Sequence, residues 1–350
     1  MSLIDQIIYA TNVHHGGGKV LLIPVLEALK NKKNTIFILD KRLELPKSLI
    51  LKGRIIWVPP TLIGRFFLEC RLWKLMTNET KLTCMGNLPP LWAHSKHVMV
   101  YVQNRYLIEN LSVSSFSLLV QIRINFERWW LKTRAHRVTY FIVQTRSMSK
   151  SLQLRLWRTP GIVPYAGFPK VVKNKSDLVV KNIYDYLYIA SGEPHKNHRC
   201  LIQAWEIMAK RGIFPTLCLT ISKDNEPALF RWVDASRQKY DLKIEMVGVL
   251  SHSEVLNLYN NSRALVYPSL IESLGLPLLE AAVSGISIIA SDLDYVHDII
   301  KPTAVFNPYS AESIADTLMN SYPKSNVEIL IKVETASDFL KHATENNNKL

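Results

Sequence analysis

No run of about 18 apolar residues occurs in the 350-residue chain, so no segment is expected to span a bilayer as a helix. Four cysteines, Cys70, Cys84, Cys200 and Cys218, lack any C-x-x-C pairing. That argues against a zinc or redox site and fits reduced core thiols. No secretory signal is recognisable at the N-terminus, and a cytoplasmic protein is the expectation. Glycine is sparse at 13 residues, yet three stand together in "HHGGGKV", His14 to Val20. What is missing around them excludes three chemistries. An esterase oxyanion loop would need a G-x-S-x-G nucleophile elbow, and the chain has none. A phosphate-binding P-loop needs Ser or Thr after Gly-Lys, where Val20 stands. A dinucleotide fingerprint would want a third glycine in place of Leu21. What survives is a glycine-rich turn between a first strand and a first helix, whose backbone can come close to a ligand.

Acidic residues are scarce in the first half. Residues 1 to 170 hold 25 Lys and Arg against 8 Asp and Glu, whereas residues 171 to 350 hold 18 against 21. A basic half beside a mildly acidic half indicates two domains with different partners. The anionic partner could be nucleic acid, a membrane surface or a phosphorylated substrate. Zinc ligands, a recognition-helix pattern and an RNP-like motif are all lacking, which sets nucleic acid aside. Two segments combine basic residues with tryptophan, "GRFFLECRLWKLM" (64 to 76) and "RINFERWWLKTRAHR" (123 to 137). Each reads either as a membrane-lying helix or as a half-buried helix with a solvated basic face.

Short apolar, β-branched runs alternate with helical patterns. "QIIYAT", "TIFILD", "GRIIWVP" and "HVMVYVQN" read as strands, with "KVLLIPVLEALKN" as a helix among them. The pattern breaks into Pro, Gly and Lys over residues 160 to 177. It restarts with the strands "YDYLYIA", "TLCLTIS", "KIEMVG", "ALVYPS" and "GISIIAS" and the helices "HRCLIQAWEIMAKRG" and "SEVLNLYNNS". The expectation is an α/β protein with two Rossmann-like domains facing across a cleft. The domains run over 1–168 and 169–325, and a last helix within 326–350 crosses back to the first. "ENNNK" at the end is expected to fray.

The most informative segment is "YPSLIESLGLPLLEAAVSGISIIASD", residues 267 to 292. A strand ends in a polar loop, Gly275 makes the tight turn, and Pro277 suits a first helical position. The helix ends at Gly285, a natural C-cap. Unpaired amides at that helix start form an anion site at the carboxyl end of a parallel strand. Glu272 and Glu280 flank it, and carboxylates beside a phosphate site are suited to accept from sugar or ribose hydroxyls.

These residues carry a resemblance. "ESLGLPLLEA" resembles the E-x7-E signature of retaining glycosyltransferases of the GT-B fold, most of all the family 4 enzymes of bacterial surface-polysaccharide (O-antigen and capsule) synthesis. The resemblance implies a nucleotide-sugar donor and no metal. It assigns Glu280 to the nucleotide ribose, Glu272 to the donor sugar, and the Ser273, Leu274, Gly275, Leu276 loop to the diphosphate. "YIASGEPHKNH" is similar to the segment whose lysine binds the pyrophosphate, here Lys196. "IEMVGVLSHSEVLNLYNNSRALVYPS" is similar to the segment whose turn packs on the nucleobase, here Gly248 and Val249. One departure stands out: where the family usually has a phosphate-binding arginine, this chain has Ser191. The resemblance also places Gly16, Gly17 and Gly18 in the cleft. Many relatives have a histidine near Gln103 and Asn104; neither residue can act as a base, which suits a retaining reaction. The implied acceptor is a saccharide, in all expectation linked to a polyprenyl diphosphate. That places the protein peripherally on the inner face of a bacterial plasma membrane, with the acceptor on the first domain and the donor on the second.

Other features read more plainly. Asp292 and Asp294 match a D-x-D pattern but are expected in a loop and helix start rather than at a metal, and His195 and His198 read as structural. Two rivals remain at this level: a nucleotide-sugar epimerase on the same fold, and a nucleotide-sugar or glycan binding protein without turnover.

Overall fold

The computed structural model describes residues 4–92, 94–114, 116–167, 183–321 and 327–345. The boundary expected at 168/169 and most of "ENNNK" lie outside them. The chain divides into two compact units, Met1–Lys170 with Lys332–Leu350, and Val171–Ile331.

In the first unit the described residues form a seven-stranded parallel sheet: β1 (Gln6–Ala10), β2 (Thr35–Asp40), β3 (Arg54–Val58), β4 (Lys81–Cys84), β5 (His97–Tyr101), β6 (Tyr140–Val143) and β7 (Gly161–Ile162). Its order is β3-β2-β1-β4-β5-β6-β7. Helices α1 (Gly16–Leu29), α2 (Leu62–Leu75), α3 (Arg105–Ile108), α4 (Leu118–Arg134) and α5 (Arg146–Leu156) connect the strands. Every residue of β2, "TIFILD", is buried, as a parallel strand covered on both faces requires. One core layer lies under α2, α4 and α5, and the other under α1.

The chain starts in the middle of this sheet. It runs outward from β1 to β2 and β3, then returns through α2 to β4 on the other side of β1. The order of strands therefore reverses between β1 and β4, and ligands of open α/β sheets bind at the carboxyl ends of such a pair. The loops leaving these two strands carry His14–Gly18 and Met85–Pro90. They meet closely, since a Cβ on Gly86 would lie 2.6 Å from the Thr11 carbonyl oxygen.

The second unit repeats the plan with β8 (Tyr184–Tyr188), β9 (Leu217–Leu219), β10 (Ile244–Met246), β11 (Ser262–Tyr267), β12 (Ser287–Ser291) and β14 (Ala304–Phe306). They form a parallel sheet in the order β10-β9-β8-β11-β12-β14. Its helices are α6 (His198–Lys210), α7 (Pro227–Tyr240), α8 (His252–Asn260), α9 (Leu276–Ser284), α10 (Asp294–Ile299) and α11 (Ala311–Asn320). Here the reversal falls between β8 and β11.

The C-terminal stretch is helical over a shorter span than the sequence pattern suggests. Glu328 and Ile329 form β15, antiparallel to β13 (Ile300–Lys301). Only Ala336–Glu345, α12, is helical, because the β-branched alternation in "VEILIKV" favours an extended chain. Helix α12 packs on the first unit. Phe339 is fully buried, its ring 4.9 Å from Tyr101 and stacked at 5.0 Å on Tyr165. Glu334 donates its amide to the Pro164 carbonyl just before that helix.

Candidate functional site

The carboxyl ends of β8 and β11 bring Lys196 and Glu272 together. Beyond β8 the chain makes a single 3-10 turn, Pro194–Lys196, closed by Asn197 in the left-handed region. The Asn197 side-chain amide donates to the carbonyls of Pro268 (3.1 Å) and Pro308 (2.7 Å), fixing that turn to the loop after β11. Lys196 Nζ then donates to Glu272 Oε1 at 2.7 Å, and Tyr267 at the end of β11 donates to the same oxygen at 2.8 Å. Burial alone would push the Glu272 carboxyl up. The Lys196 charge, together with hydrogen bonds from Lys196, Ser269 and Tyr267, outweighs it and holds the group below its ordinary value.

The loop between β11 and α9 is pinned from several sides. Ser291 donates to the carbonyls of Tyr267 and Ser269, and Tyr295 donates to Ser269 at 2.7 Å. The Leu270 amide donates to the His195 carbonyl at 2.8 Å. Leu274 is buried, so this loop is anchored by its side chain. Ser273 and Leu276 are half-buried. Gly275 has φ of 60°, which favours glycine, and a Cβ there would lie 3.1 Å from the Leu278 side chain, a tight fit. Helix α9 starts at Leu276, one residue before Pro277; the missing proline N–H still falls among those a first helical turn leaves unpaired.

Glu280 lies on the second turn of α9. Tyr259 of α8 donates to its Oε2 at 3.1 Å, and His252 Nδ1 lies 3.6 Å from Oε1. Burial raises its pKa, and neither His252 nor Tyr259 offsets that fully. The two glutamates of one motif are thus shifted in opposite directions. Gly248, with φ of 77°, makes the turn that leads to α8 and His252, and Val249 beside it is 71% exposed. Ser191 is exposed, and its hydroxyl donates to Glu193.

Both neighbouring histidines have lowered pKa values. His198 is buried against the Tyr188 ring, and burial, reinforced by Lys196, lowers its imidazole to about 4, so it is neutral. Burial and the same lysine also lower His195. Asp292 pairs with His297 at 2.7 Å, and Asp294 opens α10. Among the described residues no group of three or more His, Cys, Asp or Glu could hold a metal ion.

In the first unit, Gly16, Gly17 and Gly18 form the first turn of α1 itself rather than a turn ahead of it. Gly16 has φ of 58°, and a Cβ on Gly16 or Gly17 would touch nothing. The Asn12 amide just before them donates to Asp40, which Arg42 holds with three hydrogen bonds, two from its side chain and one from its amide. Despite burial, these bonds lower Asp40 to about 2. Gln103 and Asn104 are engaged in shaping their loop. Both backbone amides donate to Asn87, Gln103 Nε2 donates to the Met85 carbonyl, and Asn104 caps α3. Sequence reasoning did not single out Tyr259, Tyr267 or Ser269, because tyrosines inside apolar runs read as core and short polar residues in loops carry no spacing signal.

Comparisons with known proteins agree with this architecture. Residues 172–324 match the family model described as Glycosyl transferases group 1. Over 139 residues the chain is 28% identical to the O-antigen chain mannosyltransferase B of Escherichia coli, 39% of this chain and 36% of that protein. Over 150 residues it is 27% identical to the O-antigen chain mannosyltransferase RfbU of Salmonella typhimurium, 42% of this chain and 41% of that protein. The matches therefore span well under half the length of these relatives. The structure of Anabaena HepE in complex with UDP and glucose superposes with a TM-score of 0.63 at 14% identity, covering 89% of this chain and 88% of that one. The fold is GT-B, with two α/β units, and residues 172–324, all within the second of them, are what the glycosyl transferases group 1 model matches.

Proposed function

We propose that this chain is a retaining glycosyltransferase that moves a sugar from a nucleotide donor to a lipid-diphosphate-linked saccharide in O-antigen-type polysaccharide synthesis. The observation that carries the reading is the placement of Glu272, Lys196 and Glu280 around the start of α9, within the matched domain. Glu280 accepts from the ribose hydroxyls, and Glu272 from a hydroxyl of the donor sugar. Lys196, which donates to Glu272, turns to the diphosphate, which the amides of the Ser273–Leu276 loop and the helix dipole also favour. Lysine and amides supply the countercharge, so the transfer needs no metal. The turn at Gly248 and Val249 takes the base.

The bond from the sugar C1 to the phosphate oxygen breaks as the acceptor oxygen bonds to C1 on the same face. The departing diphosphate takes the acceptor proton, so no protein base is required there, consistent with Gln103 and Asn104 in the first unit. The first unit takes the acceptor, its backbone approaching through Gly16, Gly17 and Gly18. Such an acceptor places the chain peripherally at the inner face of the plasma membrane. The relatives' names make mannose the first donor sugar to test.

Nuclear magnetic resonance of the product tests the stereochemistry: an α-configured donor should give an α-linked product. A β-linked product would overturn the retaining assignment. Donor consumption without acceptor would favour an epimerase instead.

A further inference from the structure

The two basic, tryptophan-bearing segments of the sequence are helices α2 and α4, and their solvent faces are apolar rather than basic. On α2, Ile63, Phe66, Phe67 and Trp73 are exposed, Phe67 by 66%, while Leu68 and Leu72 enter the core. On α4, Leu118, Leu119, Ile122, Phe126 and Trp129 are exposed, Leu119 by 80%, with Ile124, Trp130 and Leu131 turned inward. The outward positions recur every three or four residues, so each helix presents one stripe.

The two helices pack on one core layer. Leu68 and Leu72 share a core cluster with Trp130 and Leu131. The loop between β4 and β5 ties the helices together: Trp130 Nε1 donates to the Pro89 carbonyl at 3.0 Å, and the Leu91 amide donates to Glu69 at 2.8 Å. The Phe66 ring meets Trp92 edge-on at 5.8 Å. The charge of Arg65 on α2 reaches Glu127 on α4. Exposed cations rim the surface, Arg71 and Lys74 on α2 and Arg123 and Lys132 on α4. The only carboxylates of the two helices, Glu69 and Glu127, are turned inward, with Glu127's side chain 15% exposed.

We propose that the α2–α4 face docks on an anionic bilayer, its aromatic and aliphatic side chains entering the interface and its cations meeting lipid headgroups. An apolar patch of this extent marks an interaction site. Charge selects the occupant: the patch is rimmed by cations and belongs to a strongly basic half of the chain, so a second copy would bring like charge against like charge, whereas an anionic surface is complementary. The lipid-linked acceptor proposed above gives this face its purpose, and the proposal rests on that reading for purpose alone.

Co-sedimentation of the full chain with vesicles of phosphatidylcholine, with and without 30% phosphatidylglycerol, tests it. The expected result is at least tenfold stronger partitioning onto the anionic vesicles. The pair Phe67→Ser and Ile122→Ser, both on exposed positions, should lower that partitioning at least tenfold with an unchanged circular dichroism spectrum. Arg123→Gln with Lys132→Gln should lower it on anionic vesicles and reduce its salt sensitivity. Equal binding to both vesicles, no binding, or wild-type binding by the apolar pair would overturn the proposal. So would a dimer, seen by light scattering, that the apolar pair abolishes in the absence of vesicle binding. Calorimetric titration with nucleoside diphosphates on the same samples separates the claims: retained nucleotide binding without vesicle binding defeats the docking face and leaves the transferase reading standing.

Discussion

Glu272 and Glu280 are eight residues apart and their pKa values are shifted in opposite directions, and stability should show it. Glu272 is held low by Lys196, so its contribution to folding is present above the ordinary carboxylate value and is lost as pH falls through the depressed one. Glu272→Gln leaves Lys196 half-buried without its counter-charge. Removing one member of such a pair costs about 3–5 kcal/mol when fully buried, so at pH 7 a drop in melting temperature of about 10 °C is expected. The difference from wild type should shrink below about pH 4. Glu280 is raised by burial, so its contribution is favourable only below the ordinary value and is lost as pH rises through the elevated one. Glu280→Gln is therefore expected to raise the melting temperature at pH 7 while weakening donor binding, the trade expected of a residue kept for function. Scanning calorimetry from pH 3 to 8 on both variants checks the two signs together. Tyr259→Phe removes one hydroxyl that steadies the Glu280 carboxylate, worth about 1 kcal/mol. Donor affinity should fall about fivefold, and the acid limb of its pH profile should move to higher pH.

At this scale the sequence shows the charged members of the site and hides their supports. Glu272, Glu280 and Lys196 are legible because carboxylates and a lysine at a strand end have few reasons to be there besides a ligand. Tyr259 and Tyr267 lie in "LNLYNNS" and "ALVYPS", where an aromatic ring is sufficiently explained by the core, and their hydroxyl bonds leave no trace in spacing.

At the scale of elements, most β-branched runs are read correctly, the short β9 and β10 among them, while β4 and β6 escape. "TIFILD" and "SIIAS" declare themselves by β-branched content. The faces of α4 escaped helical projection for a physical reason. The helix is apolar both toward the core, through Trp130 and Leu131, and toward solvent, through Ile122 and Phe126, so no single moment points inward. Helix α12 shows the reverse case, a terminal element that holds a core together. Phe339 fills the space between Tyr101 and Tyr165. Phe339→Ala should cost about 3–5 kcal/mol and be visible as an earlier melting transition, while a Phe339→Leu variant should recover most of the loss. A melting curve unchanged by Phe339→Ala would mean that α12 is not part of the first unit's core.

At the scale of the whole molecule, charge and topology divide the labour. The first 170 residues carry an excess of cations and the apolar α2–α4 face, and the remaining residues carry the motif glutamates. Each unit reverses its strand order beside its central strand, and each places its informative loop there, the three glycines in one and Lys196 with Glu272 in the other. Alternation alone predicts parallel sheets with ligands at the carboxyl ends of their strands, and the structure shows which strands flank each reversal. The placement of the apolar surface was not legible, since it depends on two helices distant in sequence sharing one sheet face. Among the described residues no helix is long and apolar enough to cross a membrane.

Calorimetric titration tests the proposed donor site most directly. UDP, GDP and ADP, followed by their sugar conjugates, would be titrated into wild type and Glu280→Ala with chelator present. The account predicts that one nucleotide class binds wild type without metal and that Glu280→Ala, still folded, binds it about 10- to 150-fold more weakly, the loss of charge-assisted bonds worth roughly 1.5–3 kcal/mol. Absence of binding by wild type, or equal binding by a folded Glu280→Ala, would contradict it.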